Sequence, residues 1–165
     1  MSYMLWMYTD SLALQEAKMP SEHTQLQAIL DASNTCARYE RELPGRDMWQ
    51  TPAELVASGV GDCEDFAIDA MFRVIRAELP GVARLGYCAR SDNQAHMVCL
   101  YYPLEATDPW VLDIAVDDVC RLSERPDLTV VFELGVDGMF VRGSKVGTVR
   151  QNAMWAAVLA RMADE

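Results

Sequence analysis

The sequence predicts an α+β protein in which helices come first and strands follow. Apolar residues recur at helical spacing before Pro80-Gly81, whereas short apolar or alternating runs dominate after it. Segregation of the two patterns along one chain is typical of α+β folds. A length of 165 residues suits one domain with its own core, so we expect a single domain over residues 1–165 with helices packed on an antiparallel sheet.

The composition limits the classes of partner. Hydrophobic residues make up 51% of the chain, and the net charge of −11 opposes binding to nucleic acid or to an anionic membrane surface. No apolar run reaches transmembrane length, and the apolar N-terminus lacks basic residues and ends at Asp10, which makes it a poor signal peptide. We therefore expect a cytoplasmic protein without membrane insertion, whose partner is neutral, basic or a cation. The oligomeric state is left open.

The five cysteines, Cys36, Cys63, Cys88, Cys99 and Cys120, are widely spaced and contain no C-x-x-C pair. This pattern matches neither a secreted disulfide framework nor a zinc ligand set. Cys88 and Cys99 are close enough in sequence to face one another across a hairpin, but we interpret them as two buried thiols.

The first convincing helix begins near Glu22, after Pro20-Ser21, with Leu26, Ile29 and Leu30 at helical spacing. His23 in its first turn is interpreted as a surface histidine, because nothing nearby in the sequence could orient it. Residues 1–19 before this helix are expected to form a short strand or helix, and residues 43–47 after it a turn.

A second, short helix is predicted within residues 48–56, since Thr51, Pro52 and Glu54 suit the N-cap, N1 and N3 positions. It ends at Ser58-Gly59 and leads into the central motif.

That motif covers residues 59–68 and starts the next helix. Asp62 suits the N-cap and Asp65, three residues later, completes an approximate capping box. An apolar helical pattern follows until Pro80-Gly81. Cys63 would occupy the first helical position, where free backbone N–H groups and the helix dipole favour a thiolate. The two interpretations are a nucleophile and a small core residue.

After Pro80-Gly81, residues 82–90, 96–102 and 110–116 are predicted to be antiparallel strands, and residues 129–134 and 139–142 to add further sheet. A last helix is predicted over residues 149–162. Its apolar face is expected to contain Ala153, Met154, Ala157, Val158 and Met162.

A nucleophilic cysteine needs a base within hydrogen-bond reach, and the base needs a third group to orient it. His96 stands where a polar loop enters an apolar strand, at a strand end open to a cleft, and Asp113 interrupts the next strand. A carboxylate in such a run is costly to bury without a partner. If these strands are neighbours, His96 and Asp113 can pair. The alternatives are a plain strand-end histidine and an aspartate facing water.

Five segments in this order carry a more specific signal: Trp49-Gln50-Thr51-Pro52-Ala53-Glu54, Gly61-Asp62-Cys63-Glu64-Asp65-Phe66-Ala67-Ile68, His96-Met97-Val98, Val111-Leu112-Asp113 and Arg125-Pro126-Asp127-Leu128. Together they resemble the bacterial transglutaminase-like cysteine proteinases of the adhesin-releasing (LapG) type, over about residues 25–140. The resemblance implies a papain-like, transglutaminase-like fold. In this fold the helix of the catalytic cysteine packs on an antiparallel sheet and is flanked by N- and C-terminal helices.

The resemblance also implies a catalytic triad of Cys63, His96 and Asp113 in a cysteine endopeptidase that acts on a protein or peptide substrate through a thioester acyl-enzyme. The Cys63 backbone N–H is the natural oxyanion donor, and Trp49 is either a second donor or a packing aromatic. The same chemistry serves a transglutaminase, deamidase or amidase. A non-catalytic binding module on this scaffold is the remaining alternative.

Three acids, Asp62, Glu64 and Asp65, flank the thiol, and their charge disfavours a thiolate. The helix N-terminus, a charged His96 or a bound cation could compensate. The resemblance implies calcium bound at Asp62 and Glu64, whose oxygen ligands suit that ion, and no organic cofactor. The alternative is that Asp62 caps the helix, Glu64 is solvated and Asp65 turns into the core.

The chain departs from this family in three respects. It lacks the export signal of the well-studied members, it is shorter, and Ile114 stands where asparagine is expected after the triad aspartate. These departures favour a cytoplasmic or phage-associated relative with a different substrate.

Overall fold

The computed structural model describes residues 20–41 and 48–164, so the predictions for residues 1–19 and for the turn at 43–47 lie outside the described residues. The helices of the described residues are α1 (Glu22–Cys36), α2 (Pro52–Ser58), α3 (Cys63–Arg76) and α4 (Ala153–Met162). The strands are β1 (Arg38–Tyr39), β2 (Val60–Gly61), β3 (Gly81–Arg90), β4 (Ala95–Pro103), β5 (Trp110–Leu112), β6 (Cys120–Arg121), β7 (Leu128–Gly135), β8 (Gly138–Val141) and β9 (Ser144–Gly147). Short 3₁₀ helices occupy Leu122–Glu124 and Val149–Gln151.

Seven of the strands form one sheet in the order β6-β5-β4-β3-β7-β8-β9, and all its neighbouring pairs are antiparallel. The short strands β1 and β2 form a separate parallel pair. The predicted α+β class is confirmed. Because β4 lies between β3 and β5, the strand that carries His96 is the direct neighbour of the strand that leads to Asp113.

The main core lies between one face of this sheet and the helices. Ile68 and Met71 of α3 are fully buried there with Leu85 and Cys99 of the sheet, and Trp155 of α4 joins the same cluster. A second buried cluster contains Cys88, Val98, Leu100, Val111 and Leu128. Cys88 and Cys99 are buried free thiols, as predicted, and they lie in different clusters.

Helices α1 and α2 begin where the sequence predicts, and both starts have side-chain capping hydrogen bonds. Ser21 Oγ accepts the Thr24 backbone N–H at the start of α1 (3.1 Å). At the start of α2, Thr51 Oγ1 accepts the Glu54 N–H (3.2 Å) and Glu54 Oε2 accepts the Thr51 N–H (2.8 Å), which completes a capping box. Gly59 then ends α2 in the left-handed conformation with φ 69°, which glycine adopts without strain.

Two predicted elements are shorter than expected. Helix α3 ends at Arg76, before Leu79, and Glu78 adopts a positive φ of 53° that takes the chain out of the helix. Strand β5 ends at Leu112 rather than Val116, because Asp113 accepts the Ala115 N–H with its side chain (2.9 Å) and the Val116 N–H with its carbonyl (3.1 Å). These local bonds turn the backbone away from the ladder.

The face predicted for α4 is wrong in part. Ala153 and Ala157 are exposed, and the helix instead buries Trp155 together with Val158. The Trp155 indole N–H donates to the Gly135 carbonyl (2.9 Å), which fixes α4 to the end of β7. None of the helices in the described ranges is long and apolar enough to cross a membrane.

His23 is exposed, as predicted, but it does have partners. Its Nε2 lies 3.2 Å from the Val119 carbonyl oxygen, and its ring lies 5.1 Å from that of Trp110. Residues far from His23 in the sequence therefore orient its ring, although no residue near it in the sequence could do so.

Candidate active site

The start of α3, which carries Cys63, is held by hydrogen bonds from Gln50 and Asp62 to the side chain of Asp65, which together are called the frame. Asp65 is 1% exposed and turned into the core, and its Oδ2 accepts the Asp62 backbone N–H (3.1 Å). The same carboxylate accepts the Gln50 backbone N–H (2.8 Å) and the Gln50 side-chain amide (2.8 Å). Burial raises the pKa of Asp65, and these hydrogen bonds oppose that rise. Asp65 thus ties the segment before α2 to the first turn of α3, and Gln50 is a member of the site that the sequence did not single out.

Gly61 is required in this frame by close packing. A Cβ atom at Gly61 would lie 2.5 Å from Leu55 Cδ1 and 2.8 Å from Asp65 Oδ2, both closer than van der Waals contact allows. The glycine before Asp62 therefore lets the chain pass between α2 and the start of α3.

His96 and Asp113 meet as predicted. His96 Nε2 lies 2.7 Å from Asp113 Oδ1, and both side chains are buried, with His96 6% exposed and Asp113 1% exposed. His96 is therefore not open to a cleft as expected, although it stands one residue after the start of β4. The aspartate likewise does not face water. The hydrogen bond to Nε2 leaves Nδ1 as the imidazole nitrogen not engaged by the aspartate.

Asp113 is held on both oxygens. Oδ1 also accepts the Ala115 backbone N–H (2.9 Å), and Oδ2 forms an ion pair with Arg125 Nη2 (2.9 Å). Burial by itself raises the pKa of Asp113, but the hydrogen bond and charge of His96, with Ala115 and Arg125, outweigh it and hold the pKa below the usual value. The carboxylate is therefore ionised at neutral pH, although it is buried.

The Cys63 thiol is half-buried and donates to Glu64 Oε2 at 2.9 Å. Burial raises the pKa of Cys63 far above the usual thiol value, and the negative charges of Glu64 and Asp62 raise it further, whereas a hydrogen bond from the Met97 backbone acts in the opposite direction. Burial and the two acids therefore outweigh the helix start, which by itself favours a thiolate. The Met97 contact places the sulfur beside the residue that follows His96.

Trp49 precedes Gln50 of this frame in the chain and is 6% exposed. Its carbonyl accepts Arg161 Nη2 of α4 (2.6 Å), and Arg161 also binds Glu54 through Nε (2.9 Å) and Nη2 (3.1 Å). The buried Trp49 indole N–H has no hydrogen-bond partner among the residues that the structure describes. An unpaired buried donor is unusual, and an oxyanion is one group that could satisfy it.

The acids around Cys63 offer oxygen ligands, but they do not form a complete cation cage. No three acidic, histidine or cysteine side chains converge on a metal position within residues 20–41 and 48–164. Asp62 and Glu64 stand on either side of the cysteine, and Glu64 accepts a hydrogen bond from the Cys63 thiol. Their chemistry fits calcium, which would need further oxygens from backbone carbonyls or water.

The sequence missed Arg125, Asp127 and Arg161 as site residues. Arg125 and Asp127 belong to one of the segments behind the family resemblance, but nothing local indicated that the arginine reaches Asp113. Arg161 gave no signal, because its contacts span more than a hundred residues of chain.

The chain is similar in fold and in sequence to solved structures of LapG from Legionella pneumophila. An EGTA-treated form has a TM-score of 0.77 and 32% identity over 88% of this chain and 81% of that chain. A calcium-bound form has a TM-score of 0.76 and 31% identity over 88% of this chain and 82% of that chain. No protein-family model matches the chain, and no curated protein sequence matches it either.

Proposed function

The chain belongs to the LapG family of transglutaminase-like cysteine proteases, and we propose that it hydrolyses a peptide bond in a protein substrate with Cys63 as the nucleophile. The observation that carries the proposal is the buried His96–Asp113 pair at 2.7 Å, next to the strand position that contacts the Cys63 sulfur. A buried imidazole fixed by an ionised carboxylate is the arrangement that general-base catalysis needs.

The reaction proceeds in two steps that use the same imidazole. In the first, His96 Nδ1 takes the Cys63 proton while the sulfur attacks the substrate carbonyl carbon. The Cys63 backbone N–H and the free Trp49 indole N–H stabilise the resulting oxyanion. The C–N bond then breaks, His96 gives its proton to the leaving amine, and a thioester remains on Cys63.

In the second step His96 takes a proton from water, and the hydroxide attacks the thioester carbonyl. The C–S bond breaks, the sulfur recovers its proton from His96, and the acid product leaves. Asp113 keeps the Nε2–H of the imidazole oriented and stabilises the imidazolium in both steps.

We further propose that the protein binds calcium at Asp62 and Glu64, in keeping with the calcium-bound form of its Legionella relative. In this structure Glu64 Oε2 accepts a hydrogen bond from the Cys63 thiol, so the carboxylate competes with His96 for the thiol proton. Bound calcium would supply positive charge that offsets the acids beside the sulfur.

The substrate class can be tested with a peptide library and mass spectrometry, with Cys63→Ala as the control. This substitution is conservative at a helix start and should leave the fold intact. We expect new N-termini with the parent protein and none with the variant. Incorporation of an added primary amine would instead identify a transglutaminase, and release of ammonia without cleavage a deamidase. Equal product in parent and variant would refute Cys63 as the nucleophile, and no product in either would favour a binding module.

Calcium binding can be tested by melting temperature. After treatment with EGTA, an excess of calcium should raise the melting temperature of the parent protein, because an ion that binds only the folded state stabilises it. The rise should be lost in Glu64→Gln and kept in Asp92→Asn, a control at an exposed turn. An unchanged melting temperature in the parent would remove the calcium proposal and leave the peptidase proposal standing.

A further inference from the structure

We propose that Arg125 is a positioning residue for the active site, which fixes Asp113 by holding the carboxylate oxygen that His96 does not use. The inference rests on the proposed function, since it gives Arg125 a part in the same site. It concerns a residue that does not touch the substrate and acts only through Asp113.

The contacts of Asp113 divide between its two oxygens. Oδ1 receives His96 Nε2 at 2.7 Å and the Ala115 N–H at 2.9 Å, whereas Oδ2 faces Arg125 Nη2 at 2.9 Å. Among the described side chains, Arg125 is the one that forms an ion pair with Oδ2. If that partner were removed, the carboxylate could rotate about its Cβ–Cγ bond, and Oδ1 would no longer be fixed toward the histidine.

Arg125 is itself held rigidly. Its Nε and Nη2 bind Asp127 Oδ1 (2.9 Å) and Oδ2 (2.8 Å) in a two-bond fork, and its side chain is only 10% exposed. Its backbone N–H donates to the Leu122 carbonyl and its carbonyl accepts the Leu128 N–H, both at 3.0 Å. Leu122 and Leu128 pack in the second hydrophobic cluster, so the guanidinium is anchored to the sheet. Asp127 fixes the fork, and Nη2, the atom that binds Asp127 Oδ2, also lies 2.9 Å from Asp113 Oδ2.

The charge of Arg125 is needed as much as its position. Asp113 is 1% exposed, and a buried carboxylate without a cation is strongly destabilised. Arg125 is a permanent cation 2.9 Å from Asp113 Oδ2. It acts together with His96 and Ala115 to keep Asp113 in the ionised form, which accepts the His96 N–H as a protonated acid would not.

The test measures the rate at which iodoacetamide alkylates Cys63, with calcium in excess, in the parent, Arg125→Gln, Arg125→Lys and Arg142→Gln. Arg142 lies in the exposed turn after β8 and provides the matched control. We expect Arg125→Gln to slow alkylation about tenfold to a hundredfold, the loss expected when a catalytic group is misplaced by about an ångström. Arg125→Lys keeps the charge without the fork and should recover part of the rate. Arg142→Gln should match the parent.

His96→Ala separates this inference from the proposed function. If His96→Ala alkylates as fast as the parent, the proposed function fails. If His96→Ala is slow but Arg125→Gln is as fast as Arg142→Gln or faster, the positioning role is overturned and the peptidase proposal stands.

Arg125→Gln could also act by unfolding the protein, and melting temperatures of all variants check this. If Arg125→Gln does not fold, Arg125→Lys decides the question. A folded lysine variant that is slower than the parent supports the role, and one with the parental rate overturns it. A histidine N–H proton resonance shifted far downfield in the parent, and lost in the arginine variants, would support the same conclusion without relying on reactivity.

Discussion

Asp65→Asn should strongly destabilise the protein although it changes only one atom. The Asp65 carboxylate accepts three N–H groups, with Gln50 N on Oδ1 and both Gln50 Nε2 and Asp62 N on Oδ2. An asparagine has one acceptor oxygen, so even in its better orientation, with the oxygen at the Oδ2 position, its amide nitrogen would face the Gln50 backbone N–H. Leaving a buried donor unsatisfied costs about 1–3 kcal/mol, and we expect a loss of this size. For a chain of this length that corresponds to a fall in melting temperature of roughly 2–12 °C.

The assay is thermal and urea unfolding followed by circular dichroism. Asp92→Asn is the matched control, because Asp92 is exposed and accepts a single hydrogen bond, from Gln94 N at 3.0 Å. We expect the control to unfold with the parent. If Asp65→Asn and Asp92→Asn unfolded at the same temperature, the frame assigned to Asp65 would not hold the start of the helix.

Three further predictions concern charged side chains and their partners. Glu64→Gln removes the negative charge that the Cys63 thiol contacts at 2.9 Å, so in the presence of chelator the variant should be alkylated at Cys63 about tenfold faster than the parent, and an equal or slower rate would contradict this. Ser33→Ala removes a buried hydrogen bond of 2.6 Å to Asp69 and should lower the free energy of unfolding by about 1–3 kcal/mol, measured from urea midpoints; a change below about 0.5 kcal/mol would show that the bond contributes little. The pKa of Asp113 is lowered in the folded state, so the ionised carboxylate stabilises the fold at neutral pH and this contribution is lost as the pH falls below about 4. Asp113→Asn should therefore lose less stability than the parent on acidification. Parallel curves of unfolding free energy against pH would refute this.

The helix starts could be predicted because their chemistry is local. The capping residues of α2 lie within four positions of one another, and the Asp62 N-cap stands one residue before the helix it begins. No distant residue is needed for these contacts to form. The order of helices and strands, and hence the fold class, could likewise be read from the change in apolar periodicity.

Other features depend on residues distant in the sequence. Ser33 interrupts the apolar face of α1, yet it is buried and its hydroxyl donates a hydrogen bond to Asp69 of α3. The end of β5 could not be placed, because Ile114 and Val116 continue its apolar pattern while the side chain of Asp113 turns the backbone. The short strands β6 and β9 have too few residues for any periodicity to be visible.

The sequence predicted which residue types form the candidate site, but not how deeply they are buried or which charges surround them. His96 and Asp113 were expected to pair, and they do, but their burial and the reach of Arg125 depend on packing. The contact between the Cys63 thiol and Glu64 depends on a side-chain conformation that a sequence does not specify. The catalytic roles of these residues remain predictions.

The most direct test of the central claim is competitive alkylation of the folded protein by a limiting amount of iodoacetamide at neutral pH, with calcium in excess, read by peptide mass spectrometry. The half-buried Cys36 and Cys120 are internal controls, because burial raises the pKa of both thiols. We predict that Cys63 is labelled first, and that His96→Ala abolishes this preference. If Cys63 were labelled no faster than Cys120, or kept its preference without His96, the assignment of a histidine-activated nucleophile would be contradicted.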